Sequence, residues 1–281
     1  MEKLGALRAR LANIGQLAEV VGAMRILAAV RLQQATELRP GADRYAEIVA
    51  AALSQALVVA GTDPPARRPR RPALLLFAAE HGFVGVYAEA LARSAVATPV
   101  PELYAVGARG ARLLEELGAP AGWVLPMTPH AAGIPGLVRR VAEGLGERLA
   151  AGAFTELAVM FGRLGSGGHW QVATQRLLPP DFTRFRTSAA RVPPLHHLPS
   201  GRLLDAVVAE YLLAGLVHAA TEALAAENAA RLQAMTTAAD NVDRKLEELR
   251  ARERVLRQEQ ITDELLDVLN GAEALRVDAD G

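Results

Sequence analysis

The sequence predicts an α/β protein: a central, Rossmann-like α/β domain with a mainly parallel sheet, carried between two long helices that pair as an antiparallel coiled coil. Three observations lead there. Leu4, Leu7, Leu11, Ile14, Ala18 and Val21 recur at steps of three and four, continued by Ala28, Leu32 and Ala35. Met235, Val242, Leu249 and Leu256 fall every seventh residue, with Ala239 and Leu246 between them. Both are a/d seams. Between them, short apolar runs alternate with helical patterns, the signature of strands covered by crossover helices. Two seams at opposite ends of one chain can meet only if the middle folds back, so the expectation is a helical rod with a body at one end.

Taken in order, residues 1–60 form the first coiled-coil helix, with Pro40-Gly41 as the place where it could break. Residues 61–72, rich in proline, are expected to be a linker; its RRPRR run (67–71) reads as a solvated, extended segment rather than a contact for membrane or nucleic acid. Residues 73–200 make the body. ALLLFAA (73–79) is a strand buried on both faces, VGVYAEALARSA (84–95) a helix, and 101–119 a strand, turn and helix. LVRRVAEGLGERLAAGA (137–153) is a helix, and 154–164 and 169–179 are strands. Residues 181–200, rich in Pro, His and Ser, read as a surface loop. Residues 201–275 form the second coiled-coil helix, and 276–281 a polar tail.

Composition narrows the function. Lys+Arg and Asp+Glu balance at 31 each, leaving no global basic field for nucleic acid. Half of the chain is hydrophobic but only 4% aromatic, which suits closely packed Ala-, Leu- and Val-rich helices. With no cysteine, disulfides and thiolate metal sites are excluded. No unbroken apolar run approaches the roughly eighteen residues needed to cross a bilayer, and the amphipathic start lacks the apolar core of a signal peptide. A soluble, cytoplasmic protein is expected.

The search for chemistry fails at each candidate. There is no G-x-x-x-x-G-K-[ST] cradle for phosphate. Gly107-Ala108-Arg109-Gly110 follows a strand but lacks the third glycine of a dinucleotide fingerprint, so a turn needing positive φ explains it. Gly165-Ser166-Gly167-Gly168 reads as a hairpin turn or a disordered tip. His196-His197 point to opposite sides of an extended segment, with no partner ligand at a recognised spacing. Glu80-His81 end the first body strand, where α/β proteins often place functional groups, yet no nucleophile or second acid lies nearby in sequence. No cofactor, metal or catalytic residue is expected.

The terminal helices carry a resemblance. VVGAMRILAAVRLQQA (20–35) with Arg44-Tyr45-Ala46, and above all AENAARLQAMTTAADNVDRKLEEL (226–249) and RQEQITDELLDVLNGAEAL (257–275), resemble the gamma subunit family of F-type ATP synthases. Its typical text there is K-A-M-x-M-V-A-A-x-K, S-E-x-A-A-R-M-x-A-M and R-Q-x-x-I-T-x-E-L. The resemblance implies a central-stalk rotor subunit without an active site of its own. It would couple ion flow through the membrane c-ring to conformational cycling in the alpha and beta subunits, beside a small epsilon-type subunit. It also implies a peripheral location on the cytoplasmic face of a bacterial inner membrane.

Carried over residue by residue, Arg257, Gln258 and Thr262 occupy positions that latch to a loop of one catalytic subunit. Met24 lies near the moving lever of those subunits. Leu265, Leu266 and Leu269 would turn inside an apolar sleeve. The chain departs from the family at AEHGFVGVYAEAL (79–91), where D-R-G-L-C-G-G-L-N is usual, and in having Glu19 and Gly22 near the Ala-Met element; it resembles a divergent member. A non-rotary coiled-coil scaffold, or a nucleotide-dependent enzyme with a coiled-coil arm, would share the paired helices. The scaffold needs no apolar tip, and the enzyme would need the phosphate loop that is missing.

Overall fold

A computed structural model describes residues 2–60, 70–181 and 195–277. Most of the expected linker, most of the Pro/His/Ser loop and the last four residues of the tail lie outside these. Helix α1 spans Glu2–Ala60 and helix α5 spans Ser200–Val277. By compactness the chain divides into one unit of Met1–Ile26 with Met235–Gly281 and another of Leu27–Ala234.

In the second unit the chain runs β1 (Pro72–Phe77), α2 (Tyr87–Val96), β2 (Glu102–Val106), α3 (Ala108–Glu116), β3 (Trp123–Leu125), α4 (Ile134–Ala150), β4 (Glu156–Leu164) and β5 (Trp170–Leu178). The sheet order is β3-β2-β1-β4-β5. Leu75 of β1 stands opposite Tyr104 of β2 and Val159 of β4, both in parallel register, and β4 turns back antiparallel into β5 with Phe161 opposite Ala173. β1 is thus central and almost wholly buried.

Strand alternation sorts its residues to two cores. Leu75 and Phe77 pack with Val159 and Phe161 under α4 (Leu137, Val141) and α5 (Leu216, Ala220, Ala223). Leu74 and Leu76 pack on the other face with Leu91 of α2, Leu114 of α3 and Ala226 of α5. α5 therefore contributes to both cores.

Three features differ from the sequence reading. α1 does not break at Pro40-Gly41. Ala28, Ala35, Ala42 and Val49, buried at seven-residue steps, carry one packed face straight through the proline. Arg39 anchors the same turn, its guanidinium bonding Glu222 (2.5 Å) and the Leu164 carbonyl (3.0 Å). Such packing outweighs the roughly 3 kcal/mol that an interior proline costs a helix.

The second half of RRPRR is also no free linker. Arg70 forks onto Glu156 (2.7 and 3.2 Å), and Arg71 bonds the Gly152 carbonyl with its side chain and Thr155 Oγ1 with its N–H. The Arg70 guanidinium holds the Glu156 carboxyl below its ordinary range. Finally, β3 was not foreseen. It is three residues long and pairs with β2 alone among the described strands.

Gly107 behaves as its position between β2 and α3 requires. Its φ is +117°, and a Cβ there would lie 2.4 Å from the Ala78 carbonyl oxygen. Gly107→Ala is expected to lower the stability of the body by about 2–3 kcal/mol or more, from strain and clash together. Denaturant unfolding followed at Trp123 checks this.

Candidate functional site

The residues that looked most like chemistry in the sequence turn out to hold the fold. Glu80 Oε2 accepts the backbone N–H of Ala108 (3.0 Å) and of Met127 (2.8 Å). Its carboxylate so caps the first turn of α3, where exposed N–H groups favour a negative charge, and ties down the segment after β3. The neighbouring His81 is exposed.

The Glu80 N–H in turn bonds the Glu227 carboxylate of α5, which pairs with Arg231 at 2.6 Å; both side chains are less than a tenth exposed. Burial pushes the Glu227 carboxyl up, against the pull of Arg231. Tyr87, fully buried and set edge-on to Trp170, donates its hydroxyl to the Ala223 carbonyl. Gly165–Gly168 forms the β4–β5 hairpin turn, with the Gly165 N–H on the His169 carbonyl (2.7 Å). A His196 ring nitrogen lies 2.8 Å from the Leu198 carbonyl. Among the described residues, no three His, Cys, Asp or Glu side chains converge as a metal site would require.

An exposed apolar helix end lies in the first unit. Its seam is formed by Leu7 and Val21 of α1 with Met235, Leu246 and Leu249 of α5, all buried, and by partly buried Leu4, Leu11, Ile14, Ala18, Val242 and Leu256. Arg8 Nε bonds Glu253 at 2.9 Å and fixes the antiparallel register. Each step back along α1 is a step forward along α5, so the start of α1 falls opposite about residue 260. Beyond that point α5 continues to Val277, past the described start of α1.

The overhang is apolar and bare. Ile261 (50% exposed), Leu265 (59%), Leu266 (51%), Val268 (70%) and Leu269 (63%) share one broad face of the helix. A contiguous apolar surface of this kind marks an interaction site. A polar band precedes it. Arg257 and Gln258 are exposed, and Thr262 is exposed with its hydroxyl on the Gln258 carbonyl (2.9 Å). Arg250, Arg252, Arg254 and Arg257 make this stretch basic, and Glu259, Asp263 and Glu264 make the next turns acidic. Met24 sits half-buried on α1, one turn from the end of the seam.

The sequence reading missed a second stripe on α1. Leu17 and Val20 are each at least half exposed. With Met24, Leu17 and Val20 follow helical spacing beside the seam rather than in it; a stripe adjacent to an a/d seam was the available signal. Although neither contains a long unbroken apolar run, both terminal helices are long and apolar enough by overall composition to cross a bilayer. In α5 such composition serves the two cores of the body.

Comparison with known proteins extends over the same residues. The ATP synthase family model matches residues 3–275. The chain is 28% identical to the ATP synthase gamma chain of a Synechococcus species (98% of this chain, 100% of the relative). It is 26% identical to that of Methylobacterium nodulans, with the same coverage. Among solved structures, a chain of the Euglena gracilis mitochondrial ATP synthase superposes with a TM-score of 0.65 at 14% identity, covering 98% of this chain and 95% of that one. A chain of the central stalk and c-ring structure from Tetrahymena thermophila gives 0.62 at 16% identity, covering 78% and 99%.

Proposed function

From the premise that this chain belongs to the ATP synthase gamma family, matched over residues 3–275, we propose how its surfaces serve a rotor. The chain is a central-stalk rotor subunit of an F-type ATP synthase, a peripheral part of a membrane-associated complex whose partners are the catalytic head and the membrane c-ring. The scaffold alternative is not favoured, because the family match runs from the first seam to the last apolar turn.

The finer reading rests on one observation, the bare overhang of α5. Leu265, Leu266 and Leu269 turn inside an apolar sleeve formed by the alpha and beta subunits. Aliphatic side chains offer few directional bonds there, so rotation meets low barriers, while burial of the leucines stabilises the seating by about 25 cal/mol per Å² of apolar surface. Arg257, Gln258 and Thr262 form the polar catch against a loop of one catalytic subunit, where charge-assisted hydrogen bonds give directional grip.

Met24, with Leu17 and Val20 beside it, meets the moving lever of a catalytic subunit. The body stands against an epsilon-type subunit and the c-ring, at the cytoplasmic face of a bacterial inner membrane. ATP chemistry belongs to the ring; this chain passes torque.

Co-expression with alpha and beta subunits tests the assignment. The expected result is a complex of three alpha, three beta and one copy of this chain, with binding lost when residues 261–281 are deleted or when Leu265, Leu266 and Leu269 are all replaced by Asp. A stable homodimer that ignores the ring subunits would argue for the scaffold instead.

A further inference from the structure

A cluster in the second unit has no part in the seating of the rotor. His218 of α5 lies 3.3 Å (Nε2 to Oδ1) from Asp43 of α1 and edge-on to Phe161 of β4, with ring centroids 5.8 Å apart. One turn further along α5, Glu222 accepts Arg39 Nε (2.5 Å) from α1 and the Leu164 N–H (3.1 Å) from β4. Arg163 of β4 stands over the same Phe161 ring, 5.5 Å from its centroid. Two parallel rungs therefore join α1 to α5 over the end of β4. The Asp43–His218 rung contains an imidazole, the side chain whose ordinary titration falls at physiological pH.

We propose that His218 is an acid-responsive latch, neutral when it holds α1 against α5 and β4, whose protonation loosens α1 around Asp43. The charges facing the imidazole are Asp43 and Arg39 from α1, Arg163 from β4, and Glu222 from its own helix. They sum to zero with His218 neutral and to +1 when it is protonated. Glu222 is already engaged by Arg39, and Asp43 is half exposed, so its attraction is partly screened.

Burial then dominates and lowers the His218 pKa below its ordinary 6.5, with Asp43 and Glu222 opposing and Arg163 and Arg39 reinforcing the shift. A histidine with a depressed folded pKa binds its proton first in the unfolded chain. Its contribution to stability is complete above about 6.5 and is lost as the pH falls from there through the folded value.

The test uses the full-length chain with 13C-labelled histidine, titrated by NMR from pH 8 to 5, beside pH-corrected amide exchange over residues 38–46 and 214–222. His218 is expected to titrate below 6.5. Exchange in both segments should accelerate on acidification in the native protein but not in His218→Gln, and Tm should fall by roughly 2–4 °C more in the native protein than in the variant over that range. Asp43→Asn should keep the acid response, with the His218 pKa lowered further. A His218 pKa at or above 6.5, or the same acid-induced exchange in His218→Gln and native protein, overturns the proposal. If His218→Gln fails to fold, His218→Asn and the native titration decide.

Discussion

Replacing Arg231 with alanine is expected to destabilise the body by about 3–5 kcal/mol, the usual cost of stranding a buried charge without its partner. Arg231 and Glu227 lie 2.6 Å apart on successive turns of α5, each under a tenth exposed, and the Glu227 carboxylate also receives the Glu80 N–H. Removing the guanidinium leaves that buried carboxylate near Tyr87 with the Glu80 N–H as its donor. The loss depends on pH. Burial already raises the Glu227 pKa above 4.5. Such a group contributes stability below 4.5 and loses it as the pH rises through the folded value. Arg231→Ala removes the opposing attraction, so its deficit should be greatest at pH 8 and shrink towards pH 5.

The double variant Glu227→Gln/Arg231→Ala, which keeps an acceptor for the Glu80 N–H and removes the stranded charge, should recover part of the loss and flatten its pH dependence. Urea denaturation of the three proteins at pH 5, 6.5 and 8 checks this. Equal stability of Arg231→Ala and the native chain at pH 8 would contradict it.

The second large effect is expected on coupling rather than folding. Arg257 and Gln258 are exposed, and Arg257 has no ion pair among the described residues. Replacing both with alanine should change the stability of the isolated chain by no more than about 0.5 kcal/mol. In the assembled ring, each lost charge-assisted hydrogen bond is worth about 1.5–3 kcal/mol. ATP turnover linked to rotation should fall roughly tenfold or more, while the ring still assembles on the apolar tip. Turnover and torque equal to the native complex would show that the polar band is only a solvated helix face. Replacing Thr262 with Val should have a smaller effect, because its hydroxyl is already engaged by its own helix at the Gln258 carbonyl.

What could be read in the sequence depended on how local its signal was. The seams at Leu4–Val21 and Met235–Leu256 were legible because helical period repeats a packing decision every turn. The β1 run ALLLFAA was legible because a strand buried on both faces shows no alternation. The tip was legible for a similar reason: Leu265, Leu266, Val268 and Leu269 spread over an arc of about 160° on the helix, wider than an a/d seam.

Pro40 misled because its local cost is overridden by Ala35, Ala42, Val49 and the Arg39 anchor, which are distant choices. β3 was missed because three residues, Trp123 to Leu125, carry too little pattern. The structural role of Glu80 was not legible because its partners, the N–H groups of Ala108 and Met127, lie 28 and 47 residues away. Leu17 and Val20 could be recognised as an exposed stripe only once the seam beside them was fixed.

The central claim is that the chain turns within the ring, and one measurement addresses it directly. The ring of three alpha and three beta subunits is assembled with one copy of this chain and fixed to a surface. A bead attached to an exposed body residue, introduced as Val124→Cys in this cysteine-free chain, is followed during ATP hydrolysis. Unidirectional rotation that depends on ATP and slows in the Arg257→Ala/Gln258→Ala variant is the predicted result. A ring that hydrolyses ATP at full rate while the bead stays still would contradict the account.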